Sequence, residues 1–466
     1  MSGRDRIYEV EDFGACGDGV TLCTLAVQRA VDACGKDGGG TVLFSNGAYV
    51  LSTVFLRNNV KVEIRAGVKI LGSLHLDDFR PDERVDYPLY QDASHSFFEH
   101  SLFVGVGCNR IALVGGGEID MRSVWDEENK RNMNRRGAKC VALKNCTDVE
   151  IADLRIVNAT DLAVYFAGCE NVDIHGLRLR VYIDGISPDN CKHVKIHGCD
   201  VQSGDDAIVF KSSYTLNRLG ECEDIRVYDC TLRSGCNALK FGTESNGGFK
   251  NISVDNIGIF DTRICAIAVE SVDGAVIDGI RIKNVRMQNV NAPLFIHLGD
   301  RMRGPEGRKI GRIRNISLEN ITATGEYKPY GIMPYNYKAY KDGVRICDPH
   351  VFGIGEGYSG KEWIDAWQMT SNVCGLADIP LENISLENVH FALDGGVNAY
   401  SATVPLTAAK YPEVYVYGRI LPAKGIYFRF VKGLRLQNVT VKTYRPDARE
   451  DFVFEHVECL SRNGMR

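Results

Sequence analysis

The sequence contains no long apolar run, no block of basic residues and no C-x-x-C pair, and each absence excludes a class of protein. No segment approaches the roughly 18 continuous apolar residues that a membrane-spanning helix requires. Lysine and arginine number 55 against 60 aspartates and glutamates, so nucleic acids and anionic membranes are poor candidates for partners. We therefore expect a globular protein with a large core, whose oligomeric state the sequence does not specify.

The 16 cysteines are not accompanied by the features of a secreted protein. The opening residues MSGRDRIYEVEDFG have no apolar run after their charges, so we predict no signal peptide and a cytoplasmic location. In a reducing compartment, cysteines are thiols that behave as small buried hydrophobic side chains. Because no C-x-x-C pair occurs, we predict no zinc or redox site. The leading hypothesis below also requires no other metal and no cofactor.

A repeated pattern runs through most of the chain. Each copy has a small or polar pair and a turn residue, followed by alternating apolar and polar positions, as in NCTDVEIADL (145–154), GCENVDIHGL (168–177), NCKHVKIHGC (190–199) and ECEDIRVYDC (221–230). The cysteines of these copies recur at steps of about 22 to 31 residues. Alternation with a period of two, interrupted by Asn, Asp and Gly, predicts short strands rather than helices.

Short strands at this spacing predict an all-β fold, the right-handed parallel β-helix, in which successive coils stack. Leucine-rich repeats share the spacing, but their L-x-x-L-x-L framework is absent. We predict a single β-helix domain over residues 1–466, with residues 1–45 as an N-terminal cap. The cap includes LAVQRAVDACGKDGG, which has helical spacing and ends in glycines. Residues from about 327 to 380 interrupt the repeat and are rich in Tyr and Trp, so they form either a cleft wall or a packed insertion.

Alignment of the coils predicts which residues share a column. Residues 207–211 lie over 238–242, followed by 266–270 and 293–297. This alignment predicts two columns of inward-facing side chains. One column contains Ile208, Leu239, Ile267 and Leu294, and the other contains Phe210, Phe241, Val269 and Ile296. Because strand side chains alternate between faces, the residues Lys211, Lys240, Glu270 and His297 point outward.

Three aspartates also fall on the outward face. Asp184 occurs in YIDGIS, and Asp205 and Asp206 occur in SGDDAIVFK; the alignment places Asp184 and Asp206 in one column, about 5 Å apart. Crowded carboxylates repel, so we expect at least one to have a raised pKa and to hold a proton near neutrality. In glycosidic cleavage one such acid protonates the leaving oxygen while another carboxylate deprotonates water. A solvated Asp-rich turn and a divalent-ion site are the alternatives.

Together with the aspartates, two further segments resemble glycoside hydrolase family 28, the polygalacturonases and their relatives. These are the N-terminal VEDFGACGDGVTLC and IALVGGGEIDMRSVW (111–125), while YIDGISPDN and SGDDAIVFKS match the family's N-T-D-G-I and G-D-D motifs. The resemblance covers nearly the whole chain and implies single-displacement, inverting hydrolysis of an oligosaccharide. It implies Asp205 as the general acid, with Asp184 and Asp206 holding and activating the water.

Two family motifs are altered in this sequence, and both alterations affect the residues expected to bind the substrate. Asn237 stands at the histidine position of the G-H-G motif, and Ala268, Val269 and Glu270 stand where the family has R-I-K, which contacts the substrate carboxylate. Loss of that Arg and Lys removes the charge-assisted contacts that a galacturonate would make, and a Glu in their place would repel it. A literal R-I-K at residues 281–283 lies about half a coil later, so we predict that it is not part of the site.

The candidate substrate-binding residues are therefore Asn237, Lys211, Lys240, Glu244, Glu270 and His297. Either Lys211 or Lys240 supplies the missing cation, or the site takes a neutral sugar whose hydroxyls bond to Glu270 and His297. Alternatively, the two lysines, Glu270 and His297 are simply exposed residues of the solenoid face. Glu244 lies in GTESNGG, which resembles the bacterial, exo-acting branch of the family.

The leading hypothesis is an inverting, exo-acting hydrolase of oligosaccharides from pectin-type plant cell-wall glycans. A polysaccharide lyase would need Ca²⁺ and an Arg or Lys base beside a uronate. A β-helix that binds uronate-containing glycans without cleaving them is a third hypothesis, and both alternatives stay open.

Overall fold

The computed structural model confirms an all-β fold, the right-handed parallel β-helix, with one short helix near the N-terminus. The structure describes residues 6–91, 93–126, 136–328, 338–341, 344–347, 368–401, 403–405 and 412–465. The helix α1 is Thr24–Lys36, and short 3-10 helices occupy Val10–Phe13, Leu76–Asp78 and Ala93–His95. Within the ranges given, no helix has the length and apolar character needed to cross a bilayer.

The strands are short in the first half of the chain and longer in the second, where several continue around the corners of a coil. Those of the first half are β1 (Ile7–Glu9), β2 (Asp18–Leu22), β3 (Gly40–Phe44), β4 (Ala48–Leu51), β5 (Val54–Phe55), β6 (Val60–Ile64), β7 (Lys69–Gly72), β8 (Ser101–Val106), β9 (Asn109–Val114), β10 (Glu118–Asp120), β11 (Lys139–Lys144), β12 (Thr147–Ala152), β13 (Arg155–Val157), β14 (Val164–Ala167), β15 (Glu170–His175), β16 (Arg178–Val181), β17 (Ile186–Asp189), β18 (Lys192–His197) and β19 (Asp200–Ser203). Those of the second half are β20 (Ile208–Ser212), β21 (Glu221–Ser234), β22 (Asn237–Ser245), β23 (Gly248–Ser271), β24 (Val276–Leu298), β25 (Arg312–Thr324), β26 (Lys338–Lys341), β27 (Val344–Cys347), β28 (Ser371–Cys374), β29 (Leu381–Gly395), β30 (Ala423–Arg445) and β31 (Glu450–Asn463).

The chain divides into two compact units. Unit 1 comprises Met1–Ser203, Thr215–Arg218 and Pro334–Val351, and unit 2 comprises Gly204–Tyr214, Leu219–Met333 and Phe352–Arg466. The antiparallel hairpin β26–β27 belongs to unit 1. The expectation of a single domain over the whole chain stays a prediction.

The helix α1 caps the first coils of unit 1. Its buried residues, Ala26, Val27, Ala30, Val31 and Cys34, lie on one face and pack against β1, β3, β5 and β6. The helix stops at a glycine run in which Gly39 has φ +115°, and a Cβ there would lie 2.4 Å from the carbonyl oxygen of Asn59. The predicted capping helix and its glycine stop are therefore confirmed.

In unit 1, equivalent apolar residues of successive coils stack in buried columns. In one of them, Leu113 pairs with Ile151, Ile151 with Ile174, and Ile174 with Ile196, all in parallel register. The repeat cysteines also stack, since the backbone amide of Cys146 contacts the Cys169 sulfur at 3.3 Å. The fourteen cysteines whose side chains the structure describes are free thiols, and all of them but Cys16 are buried, as the sequence predicts.

Unit 2 confirms both predicted inward columns. Ile208 pairs with Leu239, which pairs with Ile267, which pairs with Leu294, and all four are at most 1% exposed. In the second column the rings of Phe210 and Phe241 stack with centroids 4.6 Å apart. Full burial of each such side chain contributes about 1.5–3 kcal/mol to folding.

Asparagines line a corner of unit 2 and form a hydrogen-bonded ladder along the stack. Asn320 donates to the side-chain oxygen of Asn284 at 3.0 Å and accepts from Asn388 at 3.1 Å, and Asn438 donates to Asn388 at 2.8 Å. Each of the four has a positive φ between 52° and 56°, a conformation that Asn tolerates better than most residues. The asparagines of the repeat therefore stabilise the corners between strands, where the backbone has a positive φ.

Candidate active site

The outward face of β20, β22, β23 and β24 carries four predicted candidates, and the structure buries all of them. Lys211 is 4% exposed, Lys240 is 2% exposed, and Glu270 and His297 are fully buried. They point away from the apolar columns, as predicted, but the alternative of exposed solenoid-face residues is wrong. The segment 412–421 of the same unit covers part of this face, where Val414 and Tyr415 pack against Ala268 and Phe295.

The sequence alignment of the coils is wrong at one position of this face. It places Lys211 over Gly242, whereas the structure has a bulge after the pair Phe210 and Phe241, so that Ser212 pairs with Ser245. The bulge brings Glu244 beside Lys211, with the Nζ of Lys211 donating to Glu244 Oε2 at 3.3 Å. The carboxylate of Glu244 also accepts from Arg303 Nη2 at 2.7 Å, so it lies between two cations.

A close approach of two glycine turns positions Asp205 and Asp206. A Cβ on Gly235 would lie 2.3 Å from the carbonyl oxygen of Gly204, so only glycine fits there. The hydroxyl of Ser234 donates to the carbonyl of Asp205 at 2.6 Å, which joins the two turns. Carboxylate oxygens of Asp205 and Asp206 lie within 4.8 Å of each other. Asp205 is partly exposed, whereas Asp206 is 5% exposed.

Asn237, which occupies the position of the family's histidine, holds the carboxylate of Asp206. Its backbone amide and its side-chain Nδ2 donate to the same Oδ1 at 3.1 and 2.9 Å. The other oxygen, Oδ2, lies 3.4 Å from Lys240 Nζ. Asp206 is therefore fixed through both oxygens, by the two Asn237 donors and by the Lys240 cation.

Lys240 is the centre of a buried cluster that includes a residue the sequence reasoning missed. Its Nζ lies 3.1 Å from Glu413 Oε1, 3.4 Å from Asp206 Oδ2 and 4.0 Å from Glu270 Oε1. The other Glu413 oxygen accepts from Asn237 Nδ2 at 3.4 Å. Glu413 lies in a segment that shows none of the repeat pattern, so no column alignment could have included it.

Burial raises the pKa of three carboxyls in this cluster. For Asp206 burial is the largest cause, Lys240 opposes it, and Asp205 raises the pKa further. Burial likewise raises the pKa of Glu413, and it raises that of Glu270 well above the ordinary value. The expected raised pKa is therefore confirmed in direction, but desolvation contributes more than repulsion between the aspartates.

Glu270 and His297 are neighbours in register and retain unused polar atoms. Both Glu270 carboxyl oxygens and the Nε2 of His297 are buried without a hydrogen-bond partner in the parts of the chain that the structure describes. Tyr417 contacts the other ring nitrogen, Nδ1, at 3.3 Å. Burial lowers the pKa of His297 to about 3, so the imidazole is neutral at ordinary pH.

The remaining predicted features lie elsewhere. Asp184 belongs to unit 1, where it is 5% exposed and lies two residues before the start of β17; its place beside Asp206 stays a prediction. The literal R-I-K lies on a different strand column, with exposed Lys283 paired to Asp255 at 3.2 Å. Of the aromatic-rich insertion, Tyr327 is buried and bonds to the carbonyl of Arg263. The other aromatic side chains of this insertion, between residues 330 and 367, lie outside the side chains that the structure describes, so a cleft wall and a packed insertion both stay predictions.

Comparison with known proteins finds relatives that are named as pectin-degrading enzymes. A probable polygalacturonase of Vitis vinifera is 25% identical over 226 residues, covering 46% of this chain and 46% of that protein. An exo-poly-alpha-D-galacturonosidase of Dickeya chrysanthemi is 24% identical over 259 residues, covering 44% of this chain and 42% of that protein. The chain thus spans less than half the length of these curated relatives.

Among solved structures, a hyperthermoactive exopolygalacturonase from Thermotoga maritima shares the fold. Its TM-score is 0.67 at 18% identity, with 94% of this chain and 92% of that chain covered. The family model for glycosyl hydrolases family 28 matches residues 56–333, which is more than half of the sequence. The chain belongs to glycosyl hydrolases family 28.

Proposed function

We propose that this protein is an exo-acting glycoside hydrolase that cleaves oligosaccharides of pectin-type glycans with inversion at the anomeric carbon. Family membership and the two curated relatives support hydrolysis of this glycan class. The observation that carries the proposed hydrolysis is the adjacent pair Asp205 and Asp206, one partly exposed and one buried and fixed, whereas inversion rests on the resemblance to the family. Two carboxyl groups in different environments suit the separate roles of acid and base.

In the proposed reaction, Asp205 protonates the glycosidic oxygen as the bond to the anomeric carbon breaks. Asp206, together with Asp184, holds a water on the opposite face of the ring and takes its proton as the water oxygen forms its bond to the anomeric carbon. The raised pKa of Asp206 makes this carboxylate a stronger base, while Lys240 and the two Asn237 donors favour its ionised form. Localisation in the cytoplasm is part of the proposal, with imported oligosaccharides as substrates.

The test is a panel of pectin-derived oligosaccharides that contains both uronate and neutral sugars. Hydrolysis predicts new reducing ends without a rise in ultraviolet absorbance, and proton NMR of the first product should show inverted anomeric configuration. Exo action predicts release of a small product from chain ends before the average length falls. An unsaturated product absorbing in the ultraviolet would establish a lyase, and binding without any product would establish a non-catalytic glycan-binding protein.

A further inference from the structure

We propose that Glu413 is a specificity-determining residue, which cancels the charge of Lys240 and thereby selects an uncharged sugar ring rather than a uronate beside Asp205 and Asp206. This inference rests on the proposed function and names the substrate class of the same site. It concerns the buried polar cluster that Lys240, Asn237 and Glu270 form beside Asp206.

Both lysines that could receive a uronate carboxylate are already bound to carboxylates of the protein. Lys240 Nζ lies 3.1 Å from Glu413 Oε1 and 3.4 Å from Asp206 Oδ2. Lys211 Nζ donates to Glu244 at 3.3 Å. An internal carboxylate competes strongly with an external one, because its contact requires no loss of translational or rotational freedom.

Glu413 also occupies the contacts that a bound carboxylate would make. Its two oxygens reach the two nearest donors, Lys240 Nζ at 3.1 Å and Asn237 Nδ2 at 3.4 Å. A uronate at this position would add a further negative charge beside Asp206, whose Oδ2 lies 3.4 Å from the same ammonium group. Repulsion among buried like charges disfavours such a complex.

The polar atoms that the protein leaves unused are neutral hydrogen-bonding groups. They are Glu270 Oε1 and Oε2, His297 Nε2 and Asn237 Oδ1, none of which has a hydrogen-bond partner among the described residues. Burial keeps His297 uncharged and favours the protonated form of Glu270. Neutral donors and acceptors of this kind suit sugar hydroxyls, whereas a carboxylate is bound most strongly by charged donors.

The test compares binding of galactose and galacturonic acid, which share stereochemistry and differ in the charged group, to the full chain by calorimetric titration. The wild-type protein should bind galactose more tightly. Glu413→Gln keeps the shape of the side chain and frees the charge of Lys240, so the affinity ratio should shift toward galacturonic acid by about tenfold. Adding Lys240→Met to that variant should remove the shift. Glu382→Gln, which removes a carboxylate from the exposed pair with Arg312 in the same unit, should leave the ratio unchanged.

The outcomes separate this inference from the proposed function because binding is read without turnover. Wild-type protein that prefers galacturonic acid would overturn the inference, and this result needs no variant to fold. An unchanged ratio in Glu413→Gln, with circular dichroism matching the wild type, would also overturn it, even if the protein hydrolyses pectin fragments. A shifted ratio in a protein that releases no product would support the role of Glu413 and refute the proposed hydrolysis.

Discussion

Lys240 Nζ lies 3.1 Å from Glu413 Oε1. This buried ion pair joins the strand β22 of the repeat to the segment 412–421, which does not show the repeat pattern. The two side chains are 3% and 8% exposed. Because Lys240 also faces Asp206 and Glu270, it is the cation on which three buried carboxyls depend.

Replacement of that cation is expected to destabilise the fold strongly. Lys240→Met leaves Asp206, Glu270 and Glu413 without their shared positive neighbour, and breaking a buried pair in this way costs about 3–5 kcal/mol. Urea unfolding at neutral pH measures the loss. The matched change Lys283→Met removes a lysine that is 51% exposed and pairs with Asp255, so its expected cost is about 1 kcal/mol or less. Equal losses in the two variants would show that the buried cluster does not depend on Lys240.

The pH dependence of stability should change in Glu270→Gln. The folded state raises the pKa of Glu270 well above the ordinary value of 4.5, so the folded protein holds a proton that the unfolded chain releases. In the wild type this group therefore lowers stability progressively as pH rises above about 4.5, by up to about 1.4 kcal/mol per pH unit, until the folded pKa is reached.

Glutamine does not ionise, so the stability of the variant relative to wild type should increase as pH rises from 5 to 8. Thermal or urea unfolding of both proteins across that range provides the measurement. A difference that stays constant with pH would mean that Glu270 ionises as easily in the fold as in the unfolded chain.

Truncation of Leu239 in the inward column should lower the stability of the fold strongly, because Leu239 packs between Ile208 and Ile267. Leu239→Ala should cost about 2–5 kcal/mol, because it removes buried methyl groups and leaves a cavity. Leu219 of the same unit is 51% exposed, and Leu219→Ala should change stability by about 0.5 kcal/mol or less. Chemical unfolding of the two variants compares them directly, and similar values would contradict the assignment of Leu239 to the core.

The asparagine ladder predicts different effects for two replacements at Asn320. Its φ is 56°, and its side chain bonds to Asn284 and Asn388. Asn320→Ala loses both hydrogen bonds and also strains the backbone, whereas Asn320→Gly loses the bonds alone. The free energy of unfolding of Asn320→Ala should therefore be lower than that of Asn320→Gly by about 1 kcal/mol, as measured by chemical unfolding. The opposite order would mean that the left-handed backbone is not retained at this corner.

The regular part of the fold could be predicted from the sequence because its side chains repeat. Ile208, Leu239, Ile267 and Leu294 stack as aligned, since alternation along each strand fixes which face is inward. The alignment was wrong at the pair Lys211 and Gly242, where a bulge shifts the register. The pattern of apolar residues in the sequence does not indicate this bulge.

The candidate site was predicted less completely, and Glu413 shows the reason. This residue reaches Lys240 from a distance of 173 positions along the chain, within a segment that has no strand alternation. A long-range ion pair leaves no local signal in a single sequence. Tyr417 of the same segment contacts His297 on the outward face. The pKa of Asp206 is raised mainly by desolvation, which the three aspartates considered alone did not predict.

The most direct measurement of the central claim is the rate of reducing-end release by Asp205→Asn on the best oligosaccharide of the panel. Asparagine cannot protonate the leaving oxygen, so kcat should fall by about 10²–10⁴-fold while circular dichroism and the melting temperature stay close to wild type. The control Asp255→Asn, an exposed aspartate of the same unit that pairs with Lys283, should keep the wild-type rate. Wild-type turnover in Asp205→Asn would contradict the role of Asp205 as the general acid.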